Sequence, residues 1–337
     1  MSTEDMPAPL PAGVATGVGS LPGTDPRAAV RLVLDELRDL PHLPELPARG
    51  PGADLVGRVV GLLAGLHGDV QPSGWRLVPG AGRDERLSVS WLAEDLDALE
   101  ELAGGWSGWL KLQVCGPVTL AASVELPRGG LLARDPGARR DVAASLAEGV
   151  RLHVEDVRRR LPEAQLLLQV DEPSLTTALA GRLPTASGFG ALPALETGEA
   201  EASLRSLVEA AGVPAIVHSC APAVPVALLR RTGAAGVSLD LALVAPDGEE
   251  ALGEAVDAGT RLLLGAVPST GAPGRSEEAA ARVRALWRRL GFAPALLGEA
   301  VLVTPACGLA GATPPGALAA LRTATAAAKR LTDDPEG

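Results

Sequence analysis

The chain has 337 residues, of which 47% are hydrophobic and 21% are charged, an ordinary composition for a soluble globular protein. Its formal net charge is −11 at pH 7. Proteins that bind phosphate backbones normally carry the opposite balance, so we expect no nucleic-acid partner. No run of about 18 apolar residues occurs, which argues against a membrane span.

The first residues of the chain, 1–12, are acidic and rich in proline, and they lack the basic start and apolar core of a signal peptide. We therefore expect a cytoplasmic protein with a disordered segment at 1–12. The three cysteines are too few, and odd in number, for a disulfide framework. In a reducing cytoplasm such cysteines are buried, catalytic or bound to a metal.

Short apolar runs recur along the chain and are separated by stretches with helical periodicity. Runs rich in Val, Ile and Leu predict strands at 13–20, 75–79, 110–116, 165–171, 215–220, 235–240, 261–267 and 300–307. The clearest helical stripe, at spacings of three and four, consists of Val142, Leu146, Val150, Val154, Val157 and Leu161. Apolar strands that alternate with amphipathic helices indicate a parallel sheet covered on both faces.

Eight predicted strands are the number that a closed barrel requires, so we predict an α/β fold, a single (β/α)8 TIM barrel over 13–331. The alternative, an open doubly wound sheet, predicts a Gly-rich phosphate turn after the first strand. Segment 13–23 is rich in glycine but lacks the G-x-G-x-x-G spacing. The last residues, 332–337, are expected to be a disordered tail.

Polar residues interrupt the apolar runs at or just after the carboxyl ends of the predicted strands. They are Ser20, Asp171, Glu172, His218, Cys220, Asp240 and Cys307. In a (β/α)8 barrel these ends converge on one mouth, where the active site is built. Residues that are far apart in the sequence are therefore expected to meet in space.

A nitrogen and two sulfur donors are among these residues. His218 and Cys220 form an H-x-C pair after one strand, and Cys307 follows the last strand. This donor set suits Zn²⁺, and three protein ligands with an open fourth position are typical of a catalytic zinc site. Asp240 is the natural carboxylate to complete or support the site. The alternative is that the cysteines are small buried hydrophobes, as we predict for Cys115.

The run Asp171-Glu172-Pro173 follows a strongly apolar strand, which the proline ends. One interpretation is a helix N-cap, in which Asp171 serves the next turn. The other is a negatively charged contact for a substrate ammonium group. The residues alone leave both interpretations open.

Five short motifs, in this order, resemble the C-terminal catalytic barrel of the cobalamin-independent methionine synthases. They are GVGSLPGT (17–24), CGPVTL (115–120), QVDEPSL (169–175), VHSC (217–220) and PACGLAG (305–311). The likeness extends from about residue 13 to residue 331. That family holds zinc with His, Cys, Glu and Cys. The resemblance therefore implies His218, Cys220 and Cys307 as ligands, with Asp240, one methylene shorter, at the place of the Glu.

The resemblance also implies how a substrate binds. The family holds the amino-acid part of homocysteine through its Gly-Ser motif, a loop Glu and the Asp of Asp-Glu-Pro. The corresponding residues here are Gly19, Ser20, Glu45 and Asp171. The implied reaction is zinc-dependent methyl transfer to the thiol of homocysteine, in methionine biosynthesis, or to a related thiol. The donor would be a methyl-folate or a methylated corrinoid on a partner protein. The full-length synthases carry a second barrel that helps with the folate donor, and it has no counterpart here, so the resemblance leaves both donors open.

Two other functions fit the same fold. One is a non-catalytic zinc- or thiol-binding descendant of the family. The other is an enzyme similar to uroporphyrinogen decarboxylase, which would need several arginines at the barrel mouth to meet the acidic groups of a tetrapyrrole. Arg49 and Arg58 are the early candidates for that role.

Overall fold

A computed structural model describes residues 10–185 and 188–337 of the chain, so residues 1–9 of the segment predicted to be disordered lie outside it. The fold is α/β. Its strands are β1 His67–Gln71, β2 Gly74–Val78, β3 Trp109–Cys115, β4 Gln165–Asp171, β5 Ala215–Ser219, β6 Gly236–Asp240, β7 Arg261–Val267 and β8 Val301–Pro305.

Helices separate these strands. They are α1 Pro26–Glu36, α2 Leu55–Val60, α3 Arg83–Ala103, α4 Pro117–Ser123, α5 Pro136–Arg160, α6 Leu175–Leu179, α7 Thr197–Ala211, α8 Val226–Arg231, α9 Glu249–Asp257, α10 Ser276–Leu290, α11 Leu297–Ala300 and α12 Pro314–Asp333. The helix predicted around residues 142–161 is confirmed as α5. Asp135 caps its first turn by accepting from the Ala138 amide, and Pro136 follows at the first helical position.

The six strands from β3 to β8 form one curled parallel sheet, in which neighbours along the chain are also neighbours in space. A large apolar core lies between this sheet and the helices. A second, small apolar cluster is formed by Leu40, Leu167, Ile216, Leu263 and Leu302. Four of these residues come from β4, β5, β7 and β8, so the second cluster fills the inner face of the curl, opposite the helix-covered face.

The prediction of eight barrel strands is only partly right, because the described residues show six strands in the sheet. The run at 75–79 is not a barrel strand. It forms β2, which pairs with β1 in an antiparallel hairpin joined by a two-residue turn. The short segment from Gln71 to Gly74 lets the chain reverse at once, whereas a parallel neighbour would need a long crossover.

The predicted first strand, 13–20, does not form a regular strand, but it makes isolated backbone pairs. Ala15 pairs with Val303 of β8, and Ser20 pairs with Glu45. A second irregular segment pairs through His42 with Lys111 of β3. Two irregular segments therefore lie hydrogen-bonded between the two edges of the six-stranded sheet. In the second segment Pro41 and Pro44 cannot donate to a ladder, which limits the pairing there.

The ends of the described chain are ordered further than the sequence suggests. Leu10, in the segment predicted to be disordered, packs against the inner apolar cluster. Helix α12 continues to Asp333, two residues into the predicted tail. In the described ranges, no helix is both long and apolar enough to cross a membrane.

Candidate metal centre and substrate pocket

The structure brings three predicted metal ligands together. His218 lies in β5, Cys220 follows that strand, and Cys307 follows β8. One ligand atom from each residue lies within 4.8 Å of the others. The two sulfur atoms are 3.2 Å apart. Residues 87 positions apart in the sequence thus form one compact donor set.

The imidazole of His218 is oriented by the next strand. Its Nδ1 lies 2.9 Å from the hydroxyl oxygen of Ser238 in β6. Its Nε2 is buried and, among the described residues, has no hydrogen-bond partner. If Nδ1–H donates to Ser238, the Nε2 lone pair is left for a metal, which is the arrangement that metal-binding histidines usually adopt. The sequence analysis missed Ser238, which lies two residues before Asp240 on the same face of β6.

The two thiols influence each other strongly. Hydrogen bonding between them lowers the pKa of Cys307 well below its ordinary value and raises that of Cys220, and His218 also lowers the pKa of Cys307. Two sulfurs at 3.2 Å therefore share one proton unless a cation compensates both negative charges. One imidazole and two thiolates are a donor set that suits Zn²⁺, so these residues fit that metal.

The structure does not bring Asp240 to the other three ligands. In the part of the chain that the structure describes, the metal-ligating group contains only His218, Cys220 and Cys307. The carboxylate of Asp240 instead accepts a hydrogen bond of 2.9 Å from the Ala242 amide and caps a short 3-10 turn. Aspartate is well suited to this local contact because its side chain is short.

The Gly19–Ser20 turn lies directly against the loop that carries Cys307. The Leu309 amide donates to the Ser20 carbonyl at 2.8 Å. A Cβ atom on Gly308 would lie 2.1 Å from the Ser20 hydroxyl oxygen, so a side chain there would displace this hydroxyl. The predicted substrate turn is therefore in contact with the two residues that follow Cys307.

Two buried carboxylates face this region. Glu45 and Asp171 are each only 6% exposed. Burial raises the pKa of Glu45 to about 7 and that of Asp171 to about 6, and Asp171 also raises the pKa of Glu45. Glu45 pairs through its backbone with the Gly19–Ser20 turn, since its amide donates to the Gly19 carbonyl at 3.2 Å. Buried carboxylates of this kind are suited to bind an ammonium group.

Glu172 has a different role from its neighbour Asp171. Its carboxylate is fully buried and accepts from the Val118 amide at 2.9 Å, the Thr119 amide at 2.8 Å and the Thr119 hydroxyl at 2.7 Å. It therefore caps the first turn of α4, which follows the Gly116-Pro117 motif. One interpretation of Asp171-Glu172-Pro173 was that Asp171 caps the next helix along the chain. In the structure the capping residue is Glu172, and the helix that it caps is α4, which comes earlier in the chain.

The two arginines proposed for a tetrapyrrole site are paired with acidic side chains, and Arg58 Nε also lies 3.8 Å from Glu45 Oε1. Arg49 Nη2 contacts Asp95 at 2.6 Å, and Arg58 forms a short ion pair with the same carboxylate. Both guanidinium groups are thus held by a buried aspartate of α3. This arrangement gives no support to a site for acidic tetrapyrrole side groups.

The sequence analysis also missed a set of buried polar residues on the inner faces of β3 and β4. They are Lys111, Gln113 and Gln169. The signal was present, since each of them interrupts an otherwise apolar strand. In a strand, residues two apart share a face, so Gln169 lies on the same face as Asp171.

Comparisons with known proteins agree with this geometry. The sequence profile described as "Cobalamin-independent synthase, Catalytic domain" matches residues 110–330. A search of curated protein sequences gave no match. Among solved structures, the chain is similar to a B12-independent methionine synthase from Shewanella sp. W3-18-1 in complex with selenomethionine, with a TM-score of 0.64 and 13% identity, covering 96% of this chain and 98% of that one.

At 13% identity the structural likeness shows the fold, and the two chains superpose over nearly their full lengths. The family assignment comes from the sequence profile, which covers more than half of the chain and includes all three members of the candidate metal-ligating group. The chain therefore belongs to the cobalamin-independent methionine synthase family and contains its catalytic domain.

Proposed function

We propose that this protein is a zinc-dependent methyltransferase that moves a methyl group to the thiol of homocysteine or of a related amino acid. The observation that carries the proposal is the contact between the Gly19–Ser20 turn and the loop that carries Cys307, one of the three grouped candidate ligands. A thiol bound at the metal would have its amino-acid end beside this turn. Membership in the methionine synthase family supports the same reaction.

The residues that would hold the zinc are His218, Cys220 and Cys307. The free Nε2 of His218 and the closely spaced sulfurs are the features that support this assignment. When bound, zinc lowers the pKa of a thiol ligand, so that the thiol reacts as the more nucleophilic thiolate. The fourth position is left to the substrate, since Asp240 caps its own turn.

The remaining residues would bind and orient the amino acid. Asp171 and Glu45 offer carboxylates to its ammonium group, and the Gly19–Ser20 turn pairs with Glu45 on one side and with the loop that carries Cys307 on the other. Holding both ends of the substrate fixes the sulfur in one position, which lowers the entropic cost of the transfer. The related structure, in complex with selenomethionine, makes L-selenomethionine a suitable probe of this pocket.

We further propose that the fold is a complete TIM-like barrel, with irregular segments at 13–20 and 41–45 in place of its first two strands. The backbone pairs of these segments with β8 and β3 support this view. The likeness to the B12-independent methionine synthase over nearly the whole chain supports it as well. In such a barrel all the predicted site residues would surround one mouth.

Metal analysis is the first test. We expect one zinc per chain in the purified protein, and much less after Cys307→Ser or His218→Ala. The matched control is Cys115→Ser, because Cys115 is the remaining cysteine and is fully buried in the apolar core. Full zinc occupancy in Cys307→Ser would refute the assignment of the metal site.

Methyl transfer is the second test, with L-homocysteine as acceptor and either 5-methyltetrahydrofolate or methylcobalamin as donor. The second donor mimics a methylated corrinoid on a partner protein. Methionine formation with one of them would identify the donor. Tight zinc binding without transfer from either donor would instead favour a zinc- or thiol-binding protein without catalytic activity.

A cytoplasmic location is also part of the proposal. Cys220 and Cys307 have their sulfurs 3.2 Å apart, close enough to be joined by oxidation. A reducing compartment would keep both thiols available for a metal. Fractionation of cells that make the protein, with a cytoplasmic marker enzyme, would test the location directly.

A further inference from the structure

A buried cation lies next to the substrate residues. Lys111 in β3 has no exposed surface, and it is one of only two lysines in the sequence, the other being Lys329. Burial lowers its pKa to about 8, while Asp171 and Glu45 act in the opposite direction. Because a buried charge is costly unless it is well paired, this lysine needs a structural or functional explanation.

The ammonium group of Lys111 is fully used by neighbouring acceptors. It donates to the Val18 carbonyl at 2.9 Å, to the Gln169 side-chain oxygen at 2.8 Å and to the Gln113 side-chain oxygen at 3.3 Å. An ammonium group has three N–H donors, so none is left for a ligand. Lys111 can therefore affect a substrate only through these partners.

Gln169 is hydrogen-bonded to both Lys111 and Asp171 and so connects them. Because lysine can only donate, the Gln169 oxygen must face Lys111, and its amide nitrogen must face the other way. That nitrogen donates to Asp171 Oδ1 at 2.7 Å and to the Val18 carbonyl at 2.8 Å. One oxygen of Asp171 is thus fixed, and the other is available to a substrate.

Val18 links the same group to the opposite side of the pocket. Its carbonyl accepts from both Lys111 and Gln169, and the next residues along the chain form the Gly19–Ser20 turn. A Cβ atom on Gly19 would lie 2.8 Å from Gln113 Cγ, so the turn packs against this side chain too. The turn and Asp171 are therefore held in one hydrogen-bonded unit.

We propose that Lys111 and Gln169 are positioning residues, which set the distance between Asp171 and the Gly19–Ser20 turn and thereby the affinity for the amino-acid end of the substrate. This inference rests on the proposed function. It adds two residues that touch neither metal nor substrate. A role in stability alone would leave substrate affinity unchanged in variants that still fold.

The first experiment compares Lys111→Met and Gln169→Leu with the control Lys329→Met, which removes the exposed lysine of α12. We measure zinc content, the Kd of L-selenomethionine by calorimetry, and KM and kcat for L-homocysteine. In Lys111→Met and Gln169→Leu the loss of the contact that positions the pocket should raise Kd and KM about tenfold or more. The zinc content should not change, and kcat should stay within about threefold of the wild-type value. Wild-type Kd and KM in a folded Lys111→Met protein would overturn the proposal.

The second experiment needs no substrate. With ¹⁵N-labelled lysine the side-chain spectrum contains two signals, one for each lysine. Gln169→Leu should shift the Lys111 signal, because it removes the side-chain oxygen that accepts from this ammonium group at 2.8 Å, and it should leave the Lys329 signal in place. An unchanged Lys111 signal would show that the hydrogen-bonded unit does not exist and would overturn the proposal.

The two measurements also separate this inference from the proposed function. A wild-type protein that binds zinc and transfers methyl groups, together with normal affinity in Lys111→Met, refutes the positioning role alone. A wild-type protein that binds neither L-selenomethionine nor L-homocysteine refutes the proposed function, and with it the role of Lys111 in substrate affinity. The lysine spectrum would then still decide whether the hydrogen-bonded unit is real.

Discussion

Replacing Asp171 or Glu172 by the corresponding amide should have different consequences. The change at Glu172 should lower the stability of the protein, whereas the change at Asp171 should weaken ligand binding. Replacing either by its amide keeps the size of the side chain and removes the charge. In Glu172→Gln an NH₂ group must face one of three donors from Val118 and Thr119, since the acid accepts from two backbone amides and a hydroxyl. In Asp171→Asn the remaining oxygen can still accept from Gln169.

The expected magnitudes follow from these contacts. A buried backbone amide that loses its acceptor costs about 2 kcal/mol, so Glu172→Gln should lower the free energy of unfolding by about that amount. Asp171→Asn should change it by less than about 1 kcal/mol, but it should weaken L-selenomethionine binding by about 2 kcal/mol, or about 30-fold in Kd. The wild-type protein is the reference for both variants.

The assay is urea unfolding of the zinc-loaded proteins, followed by circular dichroism, together with calorimetric titration of L-selenomethionine. It should be done at pH 8, because burial raises the pKa of Glu172 to about 7. If Glu172→Gln were as stable as the wild type but failed to bind the ligand, Glu172 would be a substrate residue and the capping role would be wrong. Normal binding in Asp171→Asn would remove Asp171 from the proposed pocket.

Three further predictions concern the metal ligands and the buried carboxylates. Ser238→Ala should weaken zinc binding about tenfold, measured by competition with a chelator, because His218 loses the partner that orients it. The Asp240→Ala variant should retain one zinc per chain, since the carboxylate of Asp240 accepts from the Ala242 amide. A loss of zinc in this variant would show that Asp240 is a ligand. The third prediction concerns Glu45, whose pKa is raised from 4.5 to about 7 by burial. The stability this group contributes is complete below pH 4.5 and is lost as the pH rises through 7. Glu45→Gln should therefore gain about 2 to 3 kcal/mol relative to the wild type between pH 5 and pH 8 in urea unfolding, and a constant difference would contradict the raised pKa.

The amino-acid sequence by itself was enough to predict the six parallel strands of the sheet, the helix around residues 142–161 and the three side chains that could together hold a metal. These features have local signals, since apolar runs, helical periodicity and an H-x-C pair at a strand end can all be seen in a short segment. The family motifs carried the same kind of local information. The prediction of a barrel strand at 75–79 was wrong, because a short apolar run is compatible with a hairpin strand such as β2 as well as with a barrel strand.

Only the tertiary structure decided which side chains meet. Ser238 orients His218, Glu172 caps α4, and Lys111 reaches Val18, and each of these contacts joins residues from different elements. Their register depends on how the strands pair, which no single segment encodes. For Asp240 the contact that matters is a local one. Its place at a strand end predicted a metal ligand, but in the structure its short carboxylate accepts from the backbone amide of Ala242.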